Sequence, residues 1–528
     1  MSGSNLSQSR PQQSAEGVAT FASLLPAVFL IAFPWIYPAT WGPKPAVVQL
    51  LISWGCLALA IFATASGAYR VQVVDWPRIV VFGWIIAAAI SIGIALVQFL
   101  GLSDGLQPWV SAANPGEAFG NLRQRNQFAS LNMLALAAWC WADASRIQPL
   151  GIGACSRPRA WVCNVVVASA LGAGTALSAS RVGFFELLLL MVLAVVWRER
   201  KMPPSPALHA LLGALLTYGF VTAILAFALL DGRMGGLLGR FDDAVPSCTS
   251  RLVLWGNVVK LIGDAPWTGW GWGELDYAHF VSLYPAQRFC EILDNAHDLP
   301  LHLAVELGLP AATAFCGIVL FAISRLAPWR ETVPLRRIAW SVLAVLALHS
   351  MVEYPLWYGP FQVAAALCVV VLCKVRSQPS SDAQSGQMRP TYPTVAVAAA
   401  VVLLGCAYGL VAYWRIGQIY LPPDQRAAMF RDNTLQKIRS GWMFHDQVRF
   451  AELSITAVRP DNAETMLELA KDMLHFSPEP IVVEKLLDSA LLLRHSEELD
   501  FYLERFKRAF PKECAQWMDR NAKLLAPH

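Results

Sequence analysis

Apolar runs recur through the first 416 residues, and about eleven of them reach or approach the ~20 residues that carry a helix across a ~30 Å hydrocarbon core. Nothing constrains the chain more, because a spanning segment must satisfy every backbone N–H and C=O within itself. The expected fold is all-α: a polytopic membrane protein with spans near 18 to 38, 46 to 66, 79 to 100, 127 to 144, 160 to 178, 182 to 197, 208 to 230, 299 to 324, 338 to 355, 359 to 373 and 394 to 414. The composition agrees, with 56% apolar and only 15% charged residues, against the ~25% charge of a soluble domain. A polar tail, residues 1–17, precedes the first span and holds Arg10 as its one basic residue. That span is too long and too poorly flanked for a cleaved signal peptide and is read as a retained helix.

Between the seventh and eighth spans the pattern breaks for one long polar segment, Asp231 to Asp298. The membrane part, 18–416, therefore includes a large loop, 231–298. Lys and Arg counted over the short loops set the orientation. With the N-terminus inside, cytoplasmic loops carry Arg70, Arg78, Arg146, Arg157, Arg159, Arg198, Arg200, Lys201, Arg325, Arg330, Arg336, Arg337, Lys374, Arg376 and Arg389. The opposite short loops hold little beyond Lys44, Arg123, Arg125 and Arg181. This bias puts the large loop and the C-terminal tail outside the cytoplasm. It also accounts for the net charge of +4, and no basic block points to nucleic acid.

Ser377 to Thr394 reads as a flexible cytoplasmic loop before the last span. After Arg415 the composition becomes that of a soluble helical domain, 417–528. Leu469 and Phe476 recur as Leu503 and Phe510, with Pro478 or Pro511 after each copy. The period of about 34 residues suits a tetratricopeptide-like pair, although a plain helical bundle fits as well. Cys248 and Cys290 both sit in the external loop, where an oxidising compartment allows a disulfide; two unpaired thiols are the alternative.

The polar residues that bear chemistry gather on the loop side. His297, in Asp294-Asn-Ala-His-Asp298, precedes the apolar run from Leu299; an imidazole at the water interface can take a proton from a hydroxyl, or simply hold a helix start. Arg181, at a tight break between two spans, offers a guanidinium fork for phosphate oxygens or a snorkelling anchor. Arg251, in an amphipathic stretch, is a second phosphate contact or a solvated face. Gln124 and Asn126 suit sugar hydroxyls, phosphate or a helix cap. His349 and Glu353 stand four apart, on one expected helical face, where ionisable groups in a membrane are costly unless they serve a site or each other. Tyr354 and Tyr358 belong to that site or to an interfacial aromatic belt. The sequence contains no P-loop, GxGxxG turn, CxxC or HExxH, so nucleotide hydrolysis, dinucleotide redox chemistry and zinc proteolysis have no motif behind them. No metal cage or cofactor is expected.

Gly120-Asn-Leu-Arg-Gln-Arg-Asn126, Ser178-Ala-Ser-Arg181, Arg251 with Trp255, Pro266-Trp-Thr-Gly-Trp-Gly-Trp-Gly273, Asp294-Asn-Ala-His297 leading into Glu306-Leu-Gly308, and His349 with Glu353-Tyr-Pro-Leu356 occur in that order. Together they resemble the O-antigen ligase and polymerase superfamily, and within it the bacterial protein O-oligosaccharyltransferases that glycosylate pilins. The resemblance implies transfer of an oligosaccharide, preassembled on undecaprenyl diphosphate, to Ser or Thr hydroxyls of periplasmic proteins, with no nucleotide sugar and no metal. It makes His297 the essential loop histidine, Gln124 a donor-site glutamine, Tyr354 or Tyr358 a required tyrosine, and Arg181 and Arg251 the diphosphate holders. The alternatives are a ligase that moves O-antigen onto lipid A core, an O-antigen polymerase, or a lipid or sugar transporter. A transporter would place its polar site near the bilayer midplane, not beside a long external loop.

Overall fold

A computed structural model describes residues 24–66, 75–142, 157–198, 206–230, 247–375 and 392–525. The tail 1–17, the start of the first span, Arg70, Arg146, Arg200, Lys201, Arg233, Arg240, Arg376, Arg389 and most of the expected 377–394 loop lie outside them.

Among the described residues, thirteen helices lead to the tail: α1 Leu24–Ile36, α2 Pro45–Ala65, α3 Trp76–Phe99, α4 Arg125–Ala142, α5 Arg157–Leu177, α6 Arg181–Val196, α7 Pro206–Leu230, α8 Arg251–Asp264, α9 Leu275–Val281, α10 Leu299–Leu326, α11 Pro334–His349, α12 Gly359–Lys374 and α13 Pro393–Gly417. The expectation of about eleven spans is corrected. Among the described residues five helices are long and apolar enough to cross a membrane: Ala46–Ala65, Trp76–Phe99, Pro206–Phe227, Leu299–Arg330 and Pro393–Tyr420. Leu24–Ile36, Trp161–Leu177 and Gly359–Lys374 are shorter apolar helices. The sequence windows overcounted for two physical reasons. The helices α6, α11 and α12 have 16 residues each, which rise about 24 Å and fall short of a ~30 Å core. In α4 the obstacle is polarity: it carries Gln127, Ser130 and Asn132, and every residue from Gln127 to Ala142 is buried. A helix buried all round is enclosed by protein, and α4 is indeed ringed by α3, α5, α6, α7 and α11. The chain is a multi-pass membrane protein with a protein-lined central helix.

The long helix α10 is broken. Gly308 takes φ 84°, ψ 162°, and Pro310 follows; proline has no N–H to offer and its ring would meet the carbonyl four residues back. The carbonyls left without helical partners are filled from the tryptophan-rich loop. Trp270 donates its N–H to Val305 O at 2.9 Å, Gly271 donates to Glu306 O at 3.0 Å, and Leu309 donates back to Pro266 O at 2.8 Å. Contact is so close that a Cβ on Gly269 would lie 2.3 Å from the Glu306 backbone, and one on Gly308 2.3 Å from Trp267 O. The loop is thereby part of the membrane helix's own hydrogen bonding.

Beyond α13 come α14 Thr434–Ile438, α15 His445–Ile455, α16 Ala463–Phe476, α17 Pro480–Leu493, α18 Ser496–Ala509, α19 Pro511–Arg520 and α20 Ala522–Leu525. The tetratricopeptide-like expectation is also corrected. Repeats of that kind bury their core only against neighbouring repeats, whereas here Leu467, Leu487, Phe506 and Trp517 share one core with Phe280 of the loop helix α9. Arg505 Nε donates to Val281 O at 2.8 Å, and His475 meets Glu274 at 2.7 Å, so the tail clasps the loop.

Candidate functional site

The amino ends of α4, α6, α8, α10 and α12 converge where the loop meets the bundle. Each is set by local chemistry. Ser180 caps α6 by accepting from Gly183 N, Ser250 caps α8 by accepting from Val253 N, and Asp298 caps α10 by accepting from Leu301 N. These caps put Arg181 and Arg251 at the first position of their helices and His297 just ahead of its own. Helix N-termini present N–H groups and partial positive charge, which suits an anionic ligand.

Glu353 is the hub. One carboxylate oxygen accepts from Arg251 Nη2 at 2.5 Å and from Asn126 Nδ2 at 3.3 Å; the other lies 3.0 Å from His297 Nδ1. Asn126 Oδ1 in turn accepts from Ser180 Oγ at 2.7 Å, which joins α4 and α6 to the group. Burial pushes the Glu353 carboxyl up, but the hydrogen bond from His297 and the charges of His297, Arg251 and His349 outweigh it and hold the group below its ordinary value. The carboxylate is therefore ionised at neutral pH and can only accept, so Nδ1 of His297 carries a proton toward it; in the neutral imidazole Nε2 is then the acceptor.

His297 itself sits at φ 52°, a region sparsely used by residues with a Cβ. Asn295 Oδ1 accepts from its N–H at 2.9 Å, and Trp255 Nε1 donates to Ala296 O at 3.1 Å. Cys248 and Cys290 form a disulfide with Cα atoms 5.5 Å apart, which ties the turn before α8 to the segment before His297. Tyr354 lies edge-on to His297 with ring centres 4.9 Å apart and stacks on Tyr358 at 5.9 Å. Burial, foremost, raises both phenols, so they stay protonated as hydrogen-bond donors.

Several expected residues lie differently. His349 and Glu353 do not share a helical face, because α11 ends at His349 and the chain turns. His349 points into the bundle, where Ser130 Oγ is 2.7 Å from its Nδ1 and also donates to Glu186 Oε1 at 2.5 Å. Gln124 spends its carbonyl capping α4, accepting from Gln127 N at 2.6 Å, which leaves its amide nitrogen for a ligand. Arg181 is exposed, one residue from Ser180. Ser180 and Asn295 lie in the sequence motifs, which give them no role of their own, and no motif singles out Ser130 or Glu186; for that pair a hydroxyl and a carboxylate within buried apolar helices are the signal.

Three family models match the chain in series: one described as protein glycosylation ligase over residues 118–141, one as O-antigen ligase over 165–316, and one as virulence factor membrane-bound polymerase, C-terminal, over 338–524. A general O-oligosaccharyltransferase of Acinetobacter baylyi is 22% identical over 348 residues, 64% of this chain and 58% of that protein. A ComP-specific O-oligosaccharyltransferase of the same organism is 21% identical over 339 residues, 63% of this chain and 56% of that protein. The chain thus matches less than two thirds of the length of these curated relatives. All six groups in the hub, Asn126, Ser180, Arg251, Asn295, His297 and Glu353, fall inside the matched segments, and the chain is similar to the O-antigen ligase and polymerase models and to these O-oligosaccharyltransferases along that whole series.

Proposed function

We propose that the protein transfers a preassembled oligosaccharide en bloc from undecaprenyl diphosphate to Ser or Thr hydroxyls of periplasmic proteins such as pilins. The observation that supports this best is the Arg251–Glu353–His297 arrangement at the meeting of five helix N-termini. In this reading the acceptor hydroxyl attacks the anomeric carbon of the first sugar, and His297 Nε2 takes its proton. The bond from that carbon to the diphosphate oxygen breaks as the new glycosidic bond forms. Glu353 stabilises the imidazolium that results, in the way a carboxylate supports a catalytic histidine elsewhere. Charge grows on the departing diphosphate, and Arg181, Arg251 and the helix ends offset it.

Gln124 and Asn126 then bind donor or acceptor hydroxyls, with Tyr354 and Tyr358 donating from the other side of His297. His349 is a positioning residue, since it contacts Ser130 and Glu186 and not the hub carboxylate. The segment 18–416 carries catalysis, with loop 231–298 and the helical segment 417–528 in the periplasm and the active site facing it. Deleting the gene tests the reading: pilin and other periplasmic proteins should lose their glycan while lipopolysaccharide keeps its O-antigen. The opposite pattern would make this chain the ligase that acts on lipid A core.

A further inference from the structure

The tryptophans of the Trp267–Gly273 loop have different surroundings. Trp270 is half-buried in the loop core and its Nε1 donates to Leu261 O at 3.0 Å, so it holds the fold. Trp272 remains 63% exposed, although the backbone beside it is fixed by the Gly271 bond to Glu306 O. Its ring stacks on Trp357, centres 6.2 Å apart and planes 15° from parallel. Trp357 is edge-on to Tyr354 at 6.4 Å, and Tyr354 is edge-on to His297 at 4.9 Å. Trp357 is braced from below by His302, 4.9 Å away and buried.

A large indole left exposed on a loop that its backbone already fixes adds little to the core. What it supplies is a flat, rigid apolar face with an N–H at the rim, ordered before any ligand arrives. A pyranose has the complementary form: a patch of C–H bonds on one face and hydroxyls around the edge. The chain of rings runs from Trp272 through Trp357 and Tyr354 to His297, so this face lies two aromatic residues beyond the ring that touches the proposed base. A glycan whose first anomeric carbon is within reach of His297 would pass along these rings and reach it with a sugar beyond the first.

The geometry points to Trp272, backed by Trp357, as a stacking subsite for a sugar of the lipid-linked donor beyond the one bonded to the diphosphate. This rests on the transfer reading above and adds to it where the sugar is recognised. A tryptophan serving only as a membrane-interface anchor would act on any lipid alike, and that difference makes the test.

Full-length protein in lipid nanodiscs is titrated with undecaprenyl diphosphate and, separately, with undecaprenyl diphosphate bearing a trisaccharide that begins with an N-acetylhexosamine. Wild type should prefer the sugar-bearing lipid. Trp272→Ala should weaken that lipid by about 10-fold, the scale of one aromatic contact, and leave the sugar-free lipid unchanged. Trp272→Phe should recover most of the loss and Trp272→Leu should not, since leucine is apolar without a flat face. Trp267→Ala, which removes a 77% exposed indole from the same loop, should change neither affinity. Equal weakening of both lipids, or rescue by leucine as good as by phenylalanine, overturns the subsite and leaves the transfer reading standing. A wild-type protein that binds neither lipid overturns the transfer reading itself, and the subsite with it.

Discussion

Glu353 concentrates the consequences of single substitutions, because its two oxygens serve Arg251, Asn126 and His297 together. Glu353→Gln keeps the shape but loses the charge, and its amide cannot accept at both positions. Transfer from a lipid-linked donor to a purified acceptor should fall at least ~100-fold, as when a histidine loses the carboxylate that orients it. His297→Ala should give a comparable loss with donor affinity nearly intact, since the histidine acts on the acceptor's proton. Arg181→Lys should weaken donor binding and turnover together, because lysine retains the charge without the bidentate fork. An active His297→Ala protein at normal membrane levels would leave the mechanism without its base. The candidate positions His297, Arg251, Asn126 and Glu353 could be named from residue type and from their place beside the loop. Their mutual geometry could not, since a spacing of four suggested that His349 would partner Glu353. The turn after His349 decides otherwise, and no local propensity in Ser350-Met-Val352 announces it.

Among the elements, the break in α10 is the one most exposed to a small change. Gly308→Ala or Gly269→Ala puts a methyl group into backbone 2.3 Å away, and at Gly308 it adds the strain of φ 84°. Each should lower the unfolding temperature of detergent-purified protein by an amount corresponding to more than ~2 kcal/mol, which differential scanning fluorimetry would read. A reader of the sequence sees Gly308 and Pro310 but counts one apolar run across them, because hydropathy is blind to backbone breaks. The loop helix α9 carries a second, pH-dependent element. Burial raises Asp276 to about 7, and burial together with Arg288 lowers His279 to about 3. For the raised aspartate, stability is full below its unfolded value and is lost as pH rises through about 7. For the lowered histidine, stability is full above its unfolded value and is lost as pH falls toward about 3. Between pH 5 and 7 the two trends oppose, so wild type should vary little. Asp276→Asn removes one of them and should expose a loss of stability on acidification from pH 7 to 5, up to ~1.4 kcal/mol per pH unit. A flat profile in that variant would mean that His279 is not held neutral.

For the molecule as a whole, the distribution of basic residues still gives a testable orientation. An alkaline phosphatase reporter fused after Arg415 should be active and one fused after Arg376 inactive; the reverse pattern would turn the whole arrangement over. The helical class was legible because a bilayer imposes length and polarity directly on sequence. The number of crossings was not, because α4 is wrapped by other helices and the short α6, α11 and α12 look like spans only while their ends are unknown. Nor was the docking of the tail. Phe280 lies in the loop nearly two hundred residues before the helices that enclose it, and nothing local to either marks the pairing. That shared core changes how genetic lesions in this protein should be read. A premature stop codon after α17 would leave every residue of the Glu353 hub in place, yet it would take from α9 the cover of α18, leaving that of α16, and loosen the loop that carries Arg251 and His297. Such an allele would behave in a glycosylation screen as a null in the active centre, and complementation by the missing helices supplied as a separate polypeptide would reveal that it is not.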